Sequence, residues 1–160
     1  MCGGITVHWR SIPQELAQQY GLLPVSVGSE ERVLRFHFRD PVPRLPALFR
    51  GKLGLYAWGN RDNKESRLPK TGWAKAESVD AGKWNWLHPE PVEIPASRGV
   101  EKGVWFPIAE GIRGILVKDE KDLPHVYMLT QAASPKYAAM TKHERMPVFL
   151  TGQYEPRTVT

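Results

Sequence analysis

The second residue of the chain, Cys2, has the most distinctive chemistry in this sequence. Cysteine is small enough that removal of Met1 by an aminopeptidase is expected, and Cys2 would then carry both a free α-amine and a thiol. The reference pKa values of these groups are about 7.7–8.0 and about 8.5, so each is partly nucleophilic at neutral pH. The amine of such a residue condenses with an aldehyde, and the thiol then closes a thiazolidine ring. The competing interpretation is an incidental cysteine near a terminus.

Two further side chains are candidates for proton transfer. His143 lies between a predicted helix and a predicted strand, and imidazole exchanges protons near neutral pH. Glu101 stands just before the apolar run Val104–Phe106, where partial burial would suit its carboxyl to general acid or base catalysis. The alternatives are a surface histidine at a polar junction and a solvated turn around Glu101.

Basic and aromatic residues are interleaved through the middle of the chain: Arg50, Lys52, Tyr56, Trp58, Arg61, Lys64, Arg67, Lys70, Trp73 and Lys75. Positive charge combined with aromatic platforms is how single-stranded nucleic acid is bound without sequence readout. A solvated loop beside core tryptophans would give the same pattern. Both interpretations remain open at this point.

Length and composition restrict the class of protein. The chain has 160 residues, enough for one domain, and Lys plus Arg outnumber Asp plus Glu by 22 to 17, which suggests an anionic partner. Fourteen glycines and fourteen prolines argue against a helical bundle. Because no apolar run approaches the ~20 residues of a membrane span and the N-terminus does not resemble a secretory signal, a cytoplasmic protein without a membrane partner is expected.

Metal-ligand patterns are missing from the sequence. A single cysteine excludes an internal disulfide and a cysteine-based zinc cluster. The five histidines show no ligand spacing; they are His8, His37, His88, His125 and His143. The sequence therefore predicts no metal and no other cofactor.

The elements that must position the candidate residues are predicted to be mostly short strands. Strict alternation over Arg32–Phe38 places apolar side chains on one face and Arg35 and His37 on the other. The other predicted strands are Leu53–Trp58, Val104–Ile108, Ile112–Val117, His125–Thr130 and Met146–Leu150. Helices are predicted at Pro13–Tyr20, with a capping box from Ser11, and at Ser134–Thr141.

Three segments rich in proline, glycine or polar residues are expected to be irregular: Asp40–Pro46, Gly59–Gly72 and Lys83–Arg98. The overall prediction is an α+β fold, a single mainly-β domain with a few short helices, over residues 1–152. A frayed tail is expected at residues 153–160.

The order and spacing of several motifs resemble the SOS response-associated peptidase (SRAP) family, from residue 2 to about residue 150. The family begins with Met-Cys-Gly, as this chain does, and has a mid-chain Trp-Gly that Trp58-Gly59 resembles. Its Asn-Ala-Arg-Ala-Glu-Thr and Pro-Ala…Gly…Glu motifs correspond to Trp73–Ser78 and Pro95–Glu101. Its Thr-x-Ala-Ala and His-Asp-Arg-Met-Pro-Val motifs are similar to Thr130–Ala133 and His143–Val148, the last being the most specific match.

This resemblance implies a β-rich α+β domain with a basic cleft that binds single-stranded DNA. Such proteins crosslink to abasic sites through the N-terminal cysteine, as a thiazolidine, after self-processing of the first residue. By position, Cys2 would be the nucleophile, Glu101 the proton shuttle, and His143 the group that assists opening of the sugar ring. Lys75 and Arg145 would contact phosphates, and Trp58 and Trp73 would belong to the nucleic-acid interface. A monomer is expected.

Three positions depart from the family pattern. Trp73 replaces an asparagine that holds the cysteine backbone and the lesion sugar, and an indole donates one hydrogen bond but accepts none. Asn60 or Asn63 is an alternative source of that amide. Lys75 replaces an arginine, which loses bidentate phosphate geometry, and Gly4 replaces another arginine.

Two other functions stay open on the sequence alone. One is a catalytically impaired module that binds single-stranded DNA, which the replacement at Trp73 favours. The other is an N-terminal-nucleophile amidase in which the amine of Cys2 acts as the base for its own thiol.

Overall fold

The structure, a computed structural model, describes residues 2–28 and 31–151 and is built mainly from β-strands. The strands are β1 (Gly4–His8), β2 (Val25–Val27), β3 (Glu31–His37), β4 (Arg44–Phe49), β5 (Lys52–Trp58), β6 (Trp73–Lys75), β7 (Glu90–Ile94), β8 (Arg98–Glu101), β9 (Val104–Pro107), β10 (Ile112–Lys118), β11 (Pro124–Ala132) and β12 (Arg145–Pro147). The helices are α1 (Gln14–Tyr20), α2 (Ala76–Asp80) and α3 (Pro135–Thr141). The prediction of a mainly-β fold with a few short helices is confirmed. Met1 and the expected tail at 153–160 lie outside the described residues.

The first sheet has the strand order β2-β3-β1-β8-β9, with β1 in the middle. Gly4 of β1 pairs with His37 of β3 on one side and with Val100 of β8 on the other. Alternate side chains of β3 enter the core, and Arg35 on the opposite face is exposed. The period-2 prediction is confirmed for Leu34 to His37, whereas Val33, on the same face as Arg35, is also buried. The sheet holds the N-terminal residues between two partners.

The second sheet has the order β10-β7-β4-β5-β11-β12, and β10 also pairs with β11. These pairings close β10, β7, β4, β5 and β11 into a ring around the apolar core. Both β5 and β6 run parallel to β11, which pairs with β5 at His125 and with β6 at Met128. The segment between them, Gly59–Gly72, therefore leaves the sheet and returns to the same strand. This brings the end of β5 next to the start of β6.

Several local predictions were wrong. The segments Asp40–Pro46 and Lys83–Arg98 were expected to be irregular, but β4 begins at Arg44 and β7 lies within the second segment. Both strands bury apolar side chains in the core, and this burial outweighs their proline content. The capping box is also wrong, because Pro13 is the N-cap of α1 and has no side-chain hydrogen bond. In the described parts of the chain, no helix is both long and apolar enough to cross a membrane.

Candidate functional site

The first residues of the chain are held between two strands of the first sheet. The backbone N–H of Gly3 donates to the carbonyl of Val100 at 3.0 Å, and the N–H of Phe38 donates to the carbonyl of Gly3 at 3.0 Å. These bonds extend the β1 pairings by one residue toward the N-terminus. As a result Cys2 lies beside the C-terminal end of β8, which carries Glu101.

The thiol of Cys2 is fully buried, with no exposed surface. It donates a hydrogen bond to the carbonyl of Gly4, with Sγ 3.1 Å from the oxygen. Glycine at position 99 makes room for it, because an added Cβ would lie 3.0 Å from Sγ and 2.6 Å from the ring of Phe106. Burial raises the pKa of the Cys2 thiol to about 12, and the nearby Glu101 carboxylate adds to the rise. In this arrangement the thiol is protonated and shielded.

The buried Glu101 faces the partly exposed imidazole of His143. The Glu101 carboxylate is 2% exposed, and its Oε1 lies 3.7 Å from Nε2 of His143. The backbone N–H of Arg145 donates to Nδ1 of His143 at 3.0 Å. The Arg145 carbonyl oxygen also lies 3.2 Å from this Nδ1, so the Arg145 backbone fixes the ring, and Nε2 faces Glu101. At 3.7 Å the two atoms are within ion-pair distance but beyond the reach of a direct hydrogen bond.

A contact between two turns brings this pair together. His143 follows the end of α3, where Lys142 has a left-handed backbone with a φ of 59°. Glu101 precedes the β8–β9 turn, where Lys102 also has a positive φ of 48°. The ammonium of Lys102 donates to the carbonyl of Lys142 at 2.9 Å and joins the two turns. Sequence patterns alone do not predict such a contact between distant turns.

Trp73 makes one of the contacts that the motif resemblance leads us to expect from an asparagine. Its indole Nε1–H donates to the carbonyl of Cys2 at 3.0 Å. Its ring packs against Phe38 and Trp58, with centroid distances of 4.7 Å and 5.8 Å. The donor that holds the cysteine backbone is therefore present. The acceptor that an amide would offer to a sugar is not part of an indole.

The two asparagines considered as alternatives serve the loop instead. Asn60 is 6% exposed and donates from its amide to the carbonyl of Asn63 at 2.9 Å, while its Oδ1 accepts from the Asn63 backbone N–H. These bonds shape the Gly59–Gly72 loop. The hypothesis that Asn60 takes the amide role at Cys2 is wrong, because its polar atoms are used within the loop.

The imidazole of His37 occupies the space that a side chain at Gly4 would need. A Cβ built on Gly4 would overlap Nδ1 of His37 and lie 3.0 Å from Val100. An arginine here, as in the family pattern, would have to displace the His37 ring. Burial lowers the pKa of His37; the Asp40 carboxylate opposes this effect, and Arg39 and Arg35 add to it, so the pKa remains below its usual value. The imidazole is thus neutral at pH 7.

A pocket of about 590 Å³ opens beside the N-terminal residues. Its walls include Gly3, Glu101 and three cationic side chains, Arg39, Arg61 and Lys102. Arg61 is held by the carbonyls of Phe38 and Asp40 and by the carboxylate of Asp62. The pocket therefore combines the predicted proton shuttle with a positively charged rim.

The two predicted phosphate contacts lie nearby on β6 and β12. Lys75 is exposed two residues after Trp73, so both side chains project from the same face of β6. The guanidinium of Arg145 donates twice to the Glu77 carboxylate, at 2.9 and 3.0 Å, and also to the carbonyl of Thr130. Glu77 pairs with Arg145 in this state, so a phosphate would have to compete with that carboxylate.

Trp58 is a core residue. It is 1% exposed, and its Nε1–H donates to the carbonyl of Gly72 at 2.9 Å. The following Gly59 has a φ of 55°, and a Cβ there would overlap the carbonyl oxygen of Thr71. The Trp-Gly pair thus closes the base of the loop. The prediction that Trp58 belongs to a nucleic-acid interface is wrong, because its ring offers no accessible face to a base.

Two pocket residues were not predicted as site residues. Trp105 of β9 is 40% exposed and lines the pocket, and so does His37 of β3. The alternation of β3 had already placed His37 on the outer face. For Trp105 no such signal existed, since it lies within the apolar run Val104–Phe106.

Metal ligation is not indicated by the geometry. Within residues 2–28 and 31–151, no three histidine, cysteine, aspartate or glutamate side chains converge on a possible ion.

Comparison with models of known protein families gives no match for the chain, and comparison with curated proteins gives none either.

Proposed function

We propose that this protein captures abasic sites in single-stranded DNA by forming a thiazolidine crosslink at Cys2 after loss of Met1. The supporting observation is that Cys2, Glu101 and His143, which are far apart in sequence, lie together at one end of β1 and β8. These are the residues that the SRAP-like motifs single out. The positively charged rim of the adjacent pocket favours a polyanionic ligand.

The proposed reaction consists of additions and one loss of water, and it requires no cofactor. The α-amine of Cys2 adds to the aldehyde carbon of the ring-opened sugar, and loss of water gives an imine. The thiol then adds across the C=N bond: sulfur bonds to carbon, and the thiol proton moves to nitrogen. Glu101 and His143 are suited to donate and accept the protons of ring opening and dehydration, because a carboxyl and an imidazole lie 3.7 Å apart beside Cys2.

The burial of the thiol favours a fixed order of steps. In the resting arrangement Sγ is hydrogen-bonded to Gly4 and carries its proton, so it is a poor first nucleophile. The amine therefore acts first, and rotation of the Cys2 side chain brings Sγ to the imine carbon afterwards. The Trp73 indole holds the Cys2 carbonyl and limits the motion of the backbone during this rotation. A reducing cytoplasm suits this function, because the lone thiol stays unoxidised there.

A second candidate, a non-catalytic module that binds single-stranded DNA, is favoured by two observations. The Cys2 thiol has no exposed surface, and the Trp73 side chain cannot accept a hydrogen bond from the sugar. A module of this kind would bind with strong salt dependence and would ignore abasic sites.

The deciding experiment is intact-mass spectrometry of the purified protein before and after incubation with a single-stranded oligonucleotide containing one abasic site. Loss of Met1 together with a heat-stable adduct of protein plus oligonucleotide is the expected result. The Cys2→Ala variant should form no such adduct, and Glu101→Gln should form it more slowly. An adduct that persists in Cys2→Ala, or a processed wild-type protein that forms none, contradicts the proposal. Binding without an adduct would support the non-catalytic module, and turnover of a small amide would support an amidase.

A further inference from the structure

The outer face of the first sheet, beside the N-terminal residues, carries an aromatic surface. Gly4 pairs with both His37 and Val100, and Val100 pairs in turn with Trp105 of β9. Directly paired residues project from the same face of a sheet, so these side chains share the outer face. The buried Phe106 projects from the opposite face into the core.

The missing side chain at Gly4 lets two rings meet above the sheet. The His37 imidazole fills the space over Gly4, and the Trp105 ring reaches it with a centroid distance of 6.0 Å and an interplanar angle of 85°. The guanidinium of Arg35 lies 5.8 Å from the centroid of Trp105. These contacts hold the indole in place while 40% of the Trp105 residue surface remains exposed. An ordered, partly exposed indole is the type of surface on which nucleobases stack.

The charges around Trp105 favour a nucleic-acid strand over an apolar ligand. Trp105 lines the same pocket as Arg39 and Lys102, and both of these cations are exposed. The carboxylate in this pocket wall, Glu101, is 2% exposed and paired with His143. The surface next to the indole is thus positive, which suits a phosphate backbone that brings a base to the ring.

We propose that Trp105, supported by His37 and Arg35, is the stacking platform for a base that flanks the captured nucleotide, with Arg39 contacting the adjacent phosphate. This inference rests on the proposed function for the identity of the strand as single-stranded DNA. Stacking on an indole does not discriminate among the four bases, so the platform would add affinity without sequence preference. Its position beside Gly3 and Glu101 would place the lesion next to the amine of Cys2.

Binding of an undamaged single-stranded oligonucleotide tests the platform separately from the crosslinking chemistry. Fluorescence anisotropy of a labelled strand is measured for the wild type, Trp105→Ala, Trp105→Phe and Trp86→Ala. Trp86 is the matched control, because it is 53% exposed but belongs to the short 3₁₀ turn Asn85–Leu87 and is not among the residues lining the pocket. Trp105→Ala should weaken binding about 5-fold or more, Trp105→Phe should retain most of the affinity, and Trp86→Ala should leave it unchanged.

The salt dependence separates stacking from charge and from general damage to the fold. Trp105→Ala should keep the slope of log K against log[salt], whereas Arg39→Gln should reduce its magnitude by about 0.7. Equal affinity for Trp105→Ala and the wild type, or an equal loss in Trp105→Ala and Trp86→Ala, overturns the platform. If Trp105→Ala does not fold, the test relies on Trp105→Phe. A folded Trp105→Phe variant with no measurable affinity for the strand would also overturn the platform.

The two proposals fail in different ways. Trp105-dependent binding without an abasic-site adduct would contradict crosslinking and support the platform. An abasic-site adduct formed equally well by the wild type and Trp105→Ala, with equal affinity for undamaged strand, would support crosslinking and overturn the platform.

Discussion

The burial of Cys2 predicts that this thiol reacts very slowly in the folded protein. Its pKa is raised from an ordinary 9.0 to about 12. Since each pKa unit changes the thiolate fraction tenfold, the native protein should contain about a thousandfold less thiolate at pH 8 than the unfolded chain. Shielding by Phe106 and the first sheet slows reaction further.

Alkylation with iodoacetamide, followed by intact mass, measures this directly because the chain has a single cysteine. Rates are compared between the native protein and the same protein unfolded in guanidinium chloride, from pH 7 to pH 10. The native rate should be lower by about a thousandfold at pH 7–8 and by about a hundredfold at pH 10, and it should show no midpoint near pH 9. A native rate within about tenfold of the unfolded rate, with a midpoint near 9, would refute the argument that the thiol is buried and protonated.

The same burial makes the free energy of unfolding depend on pH. Folding favours the protonated thiol. The contribution of Cys2 to the stability of the folded state is therefore fully present below pH about 9 and is lost as the pH rises toward 12. The Cys2→Ala variant should not show this part of the alkaline loss, although other groups also titrate in that range.

Two further predictions concern hydrogen bonds, one at the Cys2 carbonyl and one in the turn between β10 and β11. Trp73→Phe removes the donor to the Cys2 carbonyl but keeps a ring, so the free energy of unfolding should fall by about 1–2 kcal/mol in urea titrations. Trp86→Phe should change it by no more than about 0.5 kcal/mol, and an equal effect of both changes would contradict the role of the hydrogen bond. Burial raises the pKa of the Asp119 carboxyl, but hydrogen bonds from His125 and from two backbone amides outweigh burial and leave the pKa below its usual range. The Asp119 carboxylate therefore stabilises the fold above its unfolded pKa of about 3.9, and this contribution is lost as pH falls through the lower folded pKa. The stability difference between wild type and Asp119→Asn should shrink under acid; a constant difference from pH 7 to pH 3 would contradict this.

Strands with a regular local pattern were predictable from the sequence. The alternation of β3 and the apolar runs of β10 and β11 are properties of a few consecutive residues. β4 and β7 were missed because their prolines suggest irregular chain, whereas their burial between neighbouring strands is decided by residues far away in sequence. Local composition cannot report that pairing.

In the candidate site, too, some features follow from the local sequence and others depend on the complete fold. The chemistry of Cys2, Glu101 and His143 follows from residue type and motif order, and these residues do lie together. Whether an aromatic residue is buried was not predictable: Trp58 is in the core and Trp105 is exposed, although both occur in apolar strands. Their difference depends on which face of each strand points into the core, and that is a property of the complete fold.

The position of β1 in the first sheet has a consequence for the timing of folding during synthesis. Cys2 is shielded by Gly99 and Phe106, and β1 is completed on one side by β8, all of which are synthesised about a hundred residues after Cys2. At ~5–20 residues per second, that interval lasts roughly 5–20 s. During it the first residues are outside the ribosome without β8 and Phe106, and they are open to aminopeptidases. Under the proposed function, trimming of Met1 would therefore precede the burial that protects the thiol.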